Sequence, residues 1–256
     1  MSLRATMEKK VKIRLNKFIA QSGVTSRRGA DELVFNGTIT VNGIIADSPG
    51  IKVDPASDTV IFNGQPLRLP SQGQALTIML HKPIETVTTV NDPQNRQTVL
   101  DLLPREIQAL RPFPVGRLDY YSEGLLLLTT DGDLCYRLTH PKYHLPKIYT
   151  VTVRGRIPEK MLHTMRSGMT LKNGEQLAPV HVVCQKPVAG TQTMELSLIQ
   201  GINRQIRRMC DEFELTILRL HRIKQGPIEL GKLKRGQWRE LSSSEMLALK
   251  KAVKMN

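Results

Sequence analysis

Asp119 follows Arg117 by two residues and precedes a run of four leucines, Leu125–Leu128, within the stretch VGRLDYYSEGLLLLTTDG that spans residues 115–132. A carboxylate set against an apolar wall can do chemistry in two ways. Burial alone raises its pKa and leaves a neutral acid, whereas an opposite charge within a few ångströms keeps it ionised and usable as a nucleophile or base. The same spacing also fits a structural Arg–Asp pair at a turn before a core strand. A second informative stretch is QGINRQIRRMCDEF, residues 200–213. There Ile206, Met209, Cys210 and Phe213 mark the apolar face of a helix, and Arg204, Arg207 and Arg208 stand at i, i+3, i+4 on another. Three cations on one face repel each other unless an anion lies between them. Gln200-Gly201 puts them at a strand-to-helix turn, where backbone amides also attract anions. A solvated face is the plainer alternative. Asp131 and Asp133 could be Mg²⁺ ligands, but Asp-Gly-Asp is mostly turn chemistry and no further carboxylate cluster joins it. The six histidines lack ligand spacing, and His140 and His144 are separated by Pro141, which interrupts a shared helix face. Nothing supports a Ser, Cys or Zn mechanism. Three readings therefore stand: an Asp119 that attacks or deprotonates part of a nucleotide within RNA, an RNA-binding assembly factor without chemistry, and metal-assisted phosphodiester work.

Nucleic acid enters these readings through charge. The 256 residues carry a formal net charge of +14, which a polyanionic partner explains best, with phosphate contacts as the first contribution to affinity. An anionic membrane is a weaker competitor, because there is no basic amphipathic helix with a bulky apolar face and no apolar span of transmembrane length. Aromatic residues make up only 4%, so each tyrosine is worth inspection. Cys135, Cys184 and Cys210 have no CxxC or metal-like spacing and read as reduced thiols of a cytoplasmic protein. The N-terminus is basic without an apolar core or cleavage site, and no export is expected.

The elements that must position these residues fall into two groups. Leu15, Phe18 and Ile19 predict a short helix ended by Gly23. Ser26 caps a second helix carrying Ala30, Leu33 and Val34, which Gly37 ends. Ile39 and Val41, Asn42-Gly43, and Ile44 and Ile45 predict a hairpin, and Thr59–Phe62 another strand before Asn63-Gly64. Lys9, Lys10, Lys12, Arg14, Lys17, Arg27 and Arg28 cluster around these helices. Arg27 and Arg28 sit in a first helical turn, where the macrodipole disfavours cations, so a phosphate-clamping use is expected. The expected boundaries are a first domain over residues 1–68, a linker over 69–75 and a second domain over 76–256. In the second domain LTIMLHKP predicts an alternating strand, and TVTTVNDPQNRQTVLDLLP a β-rich piece, an Asp92-Pro93 turn and a short helix. Leu134–His140 predicts a helix, Lys147–Val153 a strand, and Pro158 a helix with Met161, Leu162 and Met165 inward. Met194, Leu196 and Leu198 alternate as a strand, and Ser242 with Glu245 forms a capping box for a last helix.

Two resemblances narrow the choice. RLNKFIAQSGVTSRRGADELVFNGTITVNG resembles an S4 domain, a small RNA-binding module, over about residues 12–67. GRLDYYSEGLLLLTTDGDL, HKPIETVTTVNDPQNRQTVLDLLP and QGINRQIRRMC resemble, in order, the motifs of the RsuA/RluB/RluE/RluF group of pseudouridine synthases. The resemblance implies an α+β chain: an S4 domain followed by a larger, mainly antiparallel sheet with flanking helices. The implied reaction detaches uracil from its ribose, turns it and rejoins it through C5 to C1′ in ribosomal RNA. The large subunit is favoured by the NRQIRRMC spelling. On matching positions Asp119 is the implied catalytic carboxylate, Tyr149 the residue that stacks on the target uracil, and Arg207 the partner that keeps Asp119 ionised. Ile206 lines the pocket and Arg117 fills the gap left by the flipped nucleotide. Arg14, Lys17, Arg27, Arg28, Arg204 and Arg208 are the expected RNA contacts. No metal or other cofactor is implied, the expected partner is ribosomal RNA or a ribosome-assembly intermediate, and a monomer is expected. The chain departs from the pattern at Glu85, where the group usually has glycine, and at Ile202, where many members have arginine. Glu85 puts a tight turn in question, and Ile202 removes a possible phosphate contact.

Overall fold

The computed structural model describes residues 12–69, 75–143 and 145–255. Lys9, Lys10, His144 and residues 70–74 of the expected linker lie outside them. Contacts divide the chain into two compact units, Met1–Gln74 and Ala75–Asn256.

In the first unit the expected helices form at Leu15–Gln21 and Arg27–Phe35. Ser22, one residue before Gly23, caps the first. The Ser26 hydroxyl accepts from the Gly29 amide at the start of the second. Ile39–Val41 and Ile44–Ile45 pair across Asn42-Gly43, both at positive φ, which is the geometry a two-residue hairpin turn requires. Leu15, Phe18, Ile19, Ala30, Val34, Ile39 and Val60 close a small core. Arg14, Arg27 and Arg28 are exposed and Lys17 is half-buried.

The second unit is built on one twisted sheet. Its main strands are β1 (Thr77–Lys82), β2 (Glu123–Thr129), β3 (Lys147–Arg154), β4 (His181–Cys184), β5 (Thr191–Leu198), β6 (Ile217–Gln225) and β7 (Trp238–Glu240). They lie in the order β4-β5-β3-β6-β2-β1-β7. Every neighbouring pair is antiparallel except β6 and β2, which run parallel through His221 opposite Glu123 and Arg222 opposite Gly124. This seam joins two packed halves. Helix Glu159–Ser167 and helix Gln205–Asp211 cover β3, β5 and β6 with Met161, Met165, Ile206 and Met209. Leu125 and Leu127 of β2 face Leu134, Leu138 and Leu249, while Leu126 and Leu128 face Ile78, Leu80, Val99 and Leu118.

Several expectations change here. The strand of LTIMLHKP is not alternating: every residue of β1 is buried, including His81 and Lys82, because both faces of this central strand are covered. The expected β-rich piece after Pro83 is an irregular segment with a single bridge, Val87 to Thr98, and its helix lies later, at Arg105–Ala109. Asp92 and Arg96 form a two-pronged ion pair across its turn. Asp131 does more than end the leucine strand. Its carboxylate caps the following helix, Gly132–Thr139, by accepting from the Asp133 and Leu134 amides. The last helix, Ser243–Ala252, starts with the expected capping box.

The seam depends on Gly124. Its φ is +110°, and a Cβ there would lie 2.2 Å from the Arg222 carbonyl oxygen and 2.7 Å from the Arg222 nitrogen. Both obstacles are backbone and cannot swing aside. Gly124→Ala is therefore expected to destabilise the second unit by roughly 3 kcal/mol or more. A urea unfolding midpoint equal to that of the wild type would show that β6 and β2 can separate without cost.

Candidate active site

Asp119 opens a tight turn closed by the Ser122 amide, which donates to the Asp119 carbonyl at 3.0 Å. All four carbonyls of the turn have donors. The Lys82 ammonium donates to Asp119 O at 3.1 Å, to Ser122 O at 2.8 Å and to Pro83 O at 2.9 Å. The Glu85 amide donates to Tyr120 O at 2.7 Å, and Arg207 Nη2 to Tyr121 O at 2.8 Å. A carbonyl oxygen can be left unsatisfied only at a cost of about 1–3 kcal/mol when buried, so this pattern fixes the backbone from which Asp119 projects. Lys82 itself is fully buried. Burial pulls its pKa down to about 8, against the opposing pull of the Asp119 charge. It remains mainly an ammonium at neutral pH.

Glu85 resolves one departure from the family pattern. It sits at φ +59°, the left-handed region where glycine would be at ease. The tight turn is kept, at a backbone cost of about 1–2 kcal/mol, and its amide is the one that holds Tyr120. Ile202, the other departure, lies half-buried on the rim of the cleft.

Opposite the turn stand residues from the other half of the sheet. Arg207 Nε lies 3.6 Å from Asp119 Oδ2, an ion contact too long for a hydrogen bond. Its Nη2 also donates to the Ser122 hydroxyl at 3.1 Å. Tyr149, on β3, packs against the apolar clusters of both halves. A register shift between Ile148 and Tyr149 leaves an extra residue on β6 beside it, the kind of local bulge that re-aims side chains near sites. Asp119, Arg117, Tyr149, Ile206, Arg207 and Arg204 line one cleft of about 290 Å³. Ile206 is buried in its wall, whereas Arg117 and Arg204 are exposed.

The expected arginine face does not form. Helix Gln205–Asp211 begins after Arg204, whose own backbone is left-handed (φ 50°, ψ 30°). Arg207 turns to Asp119, while Arg208 pairs with Glu175 at 2.6 Å and donates to Asn173 at 3.0 Å. Adjacent positions on a helix diverge by about 100°, and here 207 and 208 are held by different partners. Phe213 lies beyond the helix end and still packs on the core. Among the described residues no group of three His, Cys, Asp or Glu side chains is placed to hold a metal ion, and the three cysteines are free thiols.

Three groups at the site escaped the sequence reading. Lys82 appeared only as the end of a strand. Arg222, 2% exposed, lines the cleft and donates its Nε to Leu125 O at 2.7 Å across the seam. Lys147 lines it as well, and burial followed by the Arg222 charge lowers its pKa. The signal available for Lys147 and Arg222 was the apolar alternation around them, which places a cation where a hydrophobic residue is due; Lys82 ends a strand buried on both faces.

Residues 76–212 match the RNA pseudouridylate synthase family, and residues 13–60 match the S4 domain. The chain belongs to the RNA pseudouridylate synthase family. It is 39% identical to an uncharacterized RNA pseudouridine synthase of Aquifex aeolicus, over 95% of this chain and 96% of that one. It is 34% identical to the ribosomal large subunit pseudouridine synthase B of Bacillus subtilis, over 93% of this chain and 95% of that one. Among solved structures it is similar to a pseudouridylate synthase crystal structure at 28% identity with a TM-score of 0.66, covering 93% of this chain and 99% of that one. The enzyme is accordingly an isomerase with an S4 domain, and its α+β architecture is that of the family.

Replacing Lys82 tests whether the turn depends on the ammonium. Lys82→Met removes the ammonium that donates to the Ser122 carbonyl and leaves the Asp119 carbonyl with the Ser122 amide alone. The expected result is about a tenfold or greater loss of pseudouridine formation, from misplacement of the turn, with a lower unfolding midpoint. Turnover at the wild-type level would show that the turn holds its shape unaided.

Proposed function

We propose that this synthase isomerises a specific uridine of ribosomal RNA, of the large subunit, with Asp119 as the catalytic carboxylate. The observation that carries the reading is the pairing of Asp119 with Arg207 inside a cleft that also holds Tyr149 and Ile206. A carboxylate facing a neighbouring guanidinium can add to the sugar or base, or remove a proton from it, as the C1′ link passes from N1 to C5 of uracil. The base is free between the two bonds, and a half-enclosed cleft with an aromatic and an aliphatic wall helps to retain it. Tyr149 stacks on that uracil, a contact worth about 1–3 kcal/mol, and Ile206 packs on its edge. The target must leave its helix, at a cost of a few kcal/mol. Arg204, exposed at the mouth of the cleft, supplies a phosphate contact that helps offset this, and Arg117, also exposed there, occupies the vacated place in the stack. The preference for ribosomal RNA is supported by the S4 domain and by relatives such as the large-subunit synthase of B. subtilis and the dual-specificity RNA pseudouridine synthase RluF of Escherichia coli, 34% identical over 94% of this chain and 79% of that one. No cofactor is called for by this chemistry, and the enzyme acts as a monomer.

Arg27, Arg28, Arg14 and Lys17 dock the S4 domain on structured RNA. Arg208, held by Glu175, contributes less than its neighbours. With Arg27 and Arg28 both exposed at a helix start, phosphate is the ligand that balances them.

Two measurements test the reading. Asp119→Asn is expected to abolish pseudouridine formation on transcribed ribosomal RNA while leaving RNA affinity nearly unchanged; continued isomerisation would remove Asp119 from the chemistry. Converting Arg27 and Arg28 together to alanine is expected to weaken RNA binding and reduce the slope of log K against log salt by about one to two. A slope equal to the wild type would take the S4 arginines off the RNA.

A further inference from the structure

The two central positions of a tight turn usually go to small or polar residues such as Pro, Gly, Asn or Asp. Here they are Tyr120 and Tyr121, in a chain with only five tyrosines and 4% aromatic residues. Their rings pack edge to face, with centroids 4.9 Å apart and planes at 81°. Tyr121 is nevertheless 60% exposed. Its backbone cannot drift, because its carbonyl accepts from Arg207, the residue that faces Asp119, and the turn on either side is held by Lys82.

We propose that Tyr121 is a fixed stacking platform for a nucleobase next to the uridine bound at Asp119, and so helps to select the sequence context that the enzyme accepts. This inference rests on the reaction proposed above. A uridine drawn out of its stack leaves the flanking bases with uncovered faces. A large aromatic ring held two residues from the carboxylate meets one of them without having to be ordered first, which removes part of the usual entropic cost of binding. The contact with the Tyr120 ring supports this ring, and more than half of its surface is open to solvent. Tyr149 serves the target base inside the cleft; Tyr121 serves its neighbour outside.

The test uses naked ribosomal RNA transcripts and, once the modified uridine is mapped on them, short synthetic RNAs spanning it. Tyr121→Ala is expected to weaken RNA binding about tenfold, within the range for one lost stacked base, with most of the kinetic loss in KM. Tyr121→Phe, which keeps the ring, restores affinity, and both variants keep the wild-type unfolding midpoint. An abasic residue at the stacked neighbour reproduces the loss in the wild type and leaves Tyr121→Ala with no further deficit. Full affinity in Tyr121→Ala, or equal penalties for abasic residues at every neighbouring position in both proteins, would overturn the proposal. So would a Tyr121→Ala defect seen on ribosomal particles but not on naked RNA, since the ring would then contact protein. A wild type that binds the transcripts yet forms no pseudouridine refutes the proposed reaction instead, and the affinities still decide whether Tyr121 touches RNA.

Discussion

A buried ammonium needs acceptors, and the Lys82 ammonium has three backbone carbonyls within 3.1 Å. Two of these belong to the turn that carries Asp119. The charge is costly to bury, as its lowered pKa indicates, and the carbonyls would be costly to leave bare. Each problem is the other's solution. The outcome is a turn whose shape is dictated from beneath by β1, so that the carboxylate needs no partner on its own strand to be positioned. Arg207 then approaches from the far half of the sheet and meets a carboxylate already in place.

The electrostatics of the cleft follow from this arrangement. Lys82 lies behind its surface, and Lys147, Arg222, Arg207, Arg117 and Arg204 line it. Only Asp119 supplies negative charge among the residues that line it. A phosphate backbone is drawn to such a surface, on which Asp119 is the single anion. On the outer edge of the seam the opposite solution appears: Glu123, 2% exposed, holds Arg219 and Arg235 together. There one buried carboxylate is shared by two cations.

Much of this was legible from residue order. The helices around Phe18 and Val34, the Asn42-Gly43 hairpin, the capping box at Ser242 and the strands at β2, β3 and β5 follow from local patterns that carry their own mechanism. The cleft's lining by Asp119, Tyr149, Ile206 and Arg207 was anticipated through motif order. What could not be read was anything decided by a distant partner. Lys82 looks like a strand end until the carbonyls of residues 119 and 122 are beside it. Arg204, Arg207 and Arg208 look like one face until the helix is seen to begin at Gln205 and Glu175 is found opposite Arg208. The irregular course of residues 86–104 is likewise set by contacts such as Thr88 to Leu118 O rather than by its β-branched composition.

The parallel seam also bears on when the site comes into being. Arg222 reaches Leu125 O across a separation of 97 residues, and Arg207 reaches Tyr121 O across 86. Contacts of such long range form late, because the chain between them must be closed first. During synthesis the Asp119 turn can form early on its β1 and β2 support, but the cleft has only one wall until the chain through β6 has emerged. The first unit, Met1–Gln74, has emerged long before that moment. Topology therefore separates completion of the S4 domain from completion of the cleft in time.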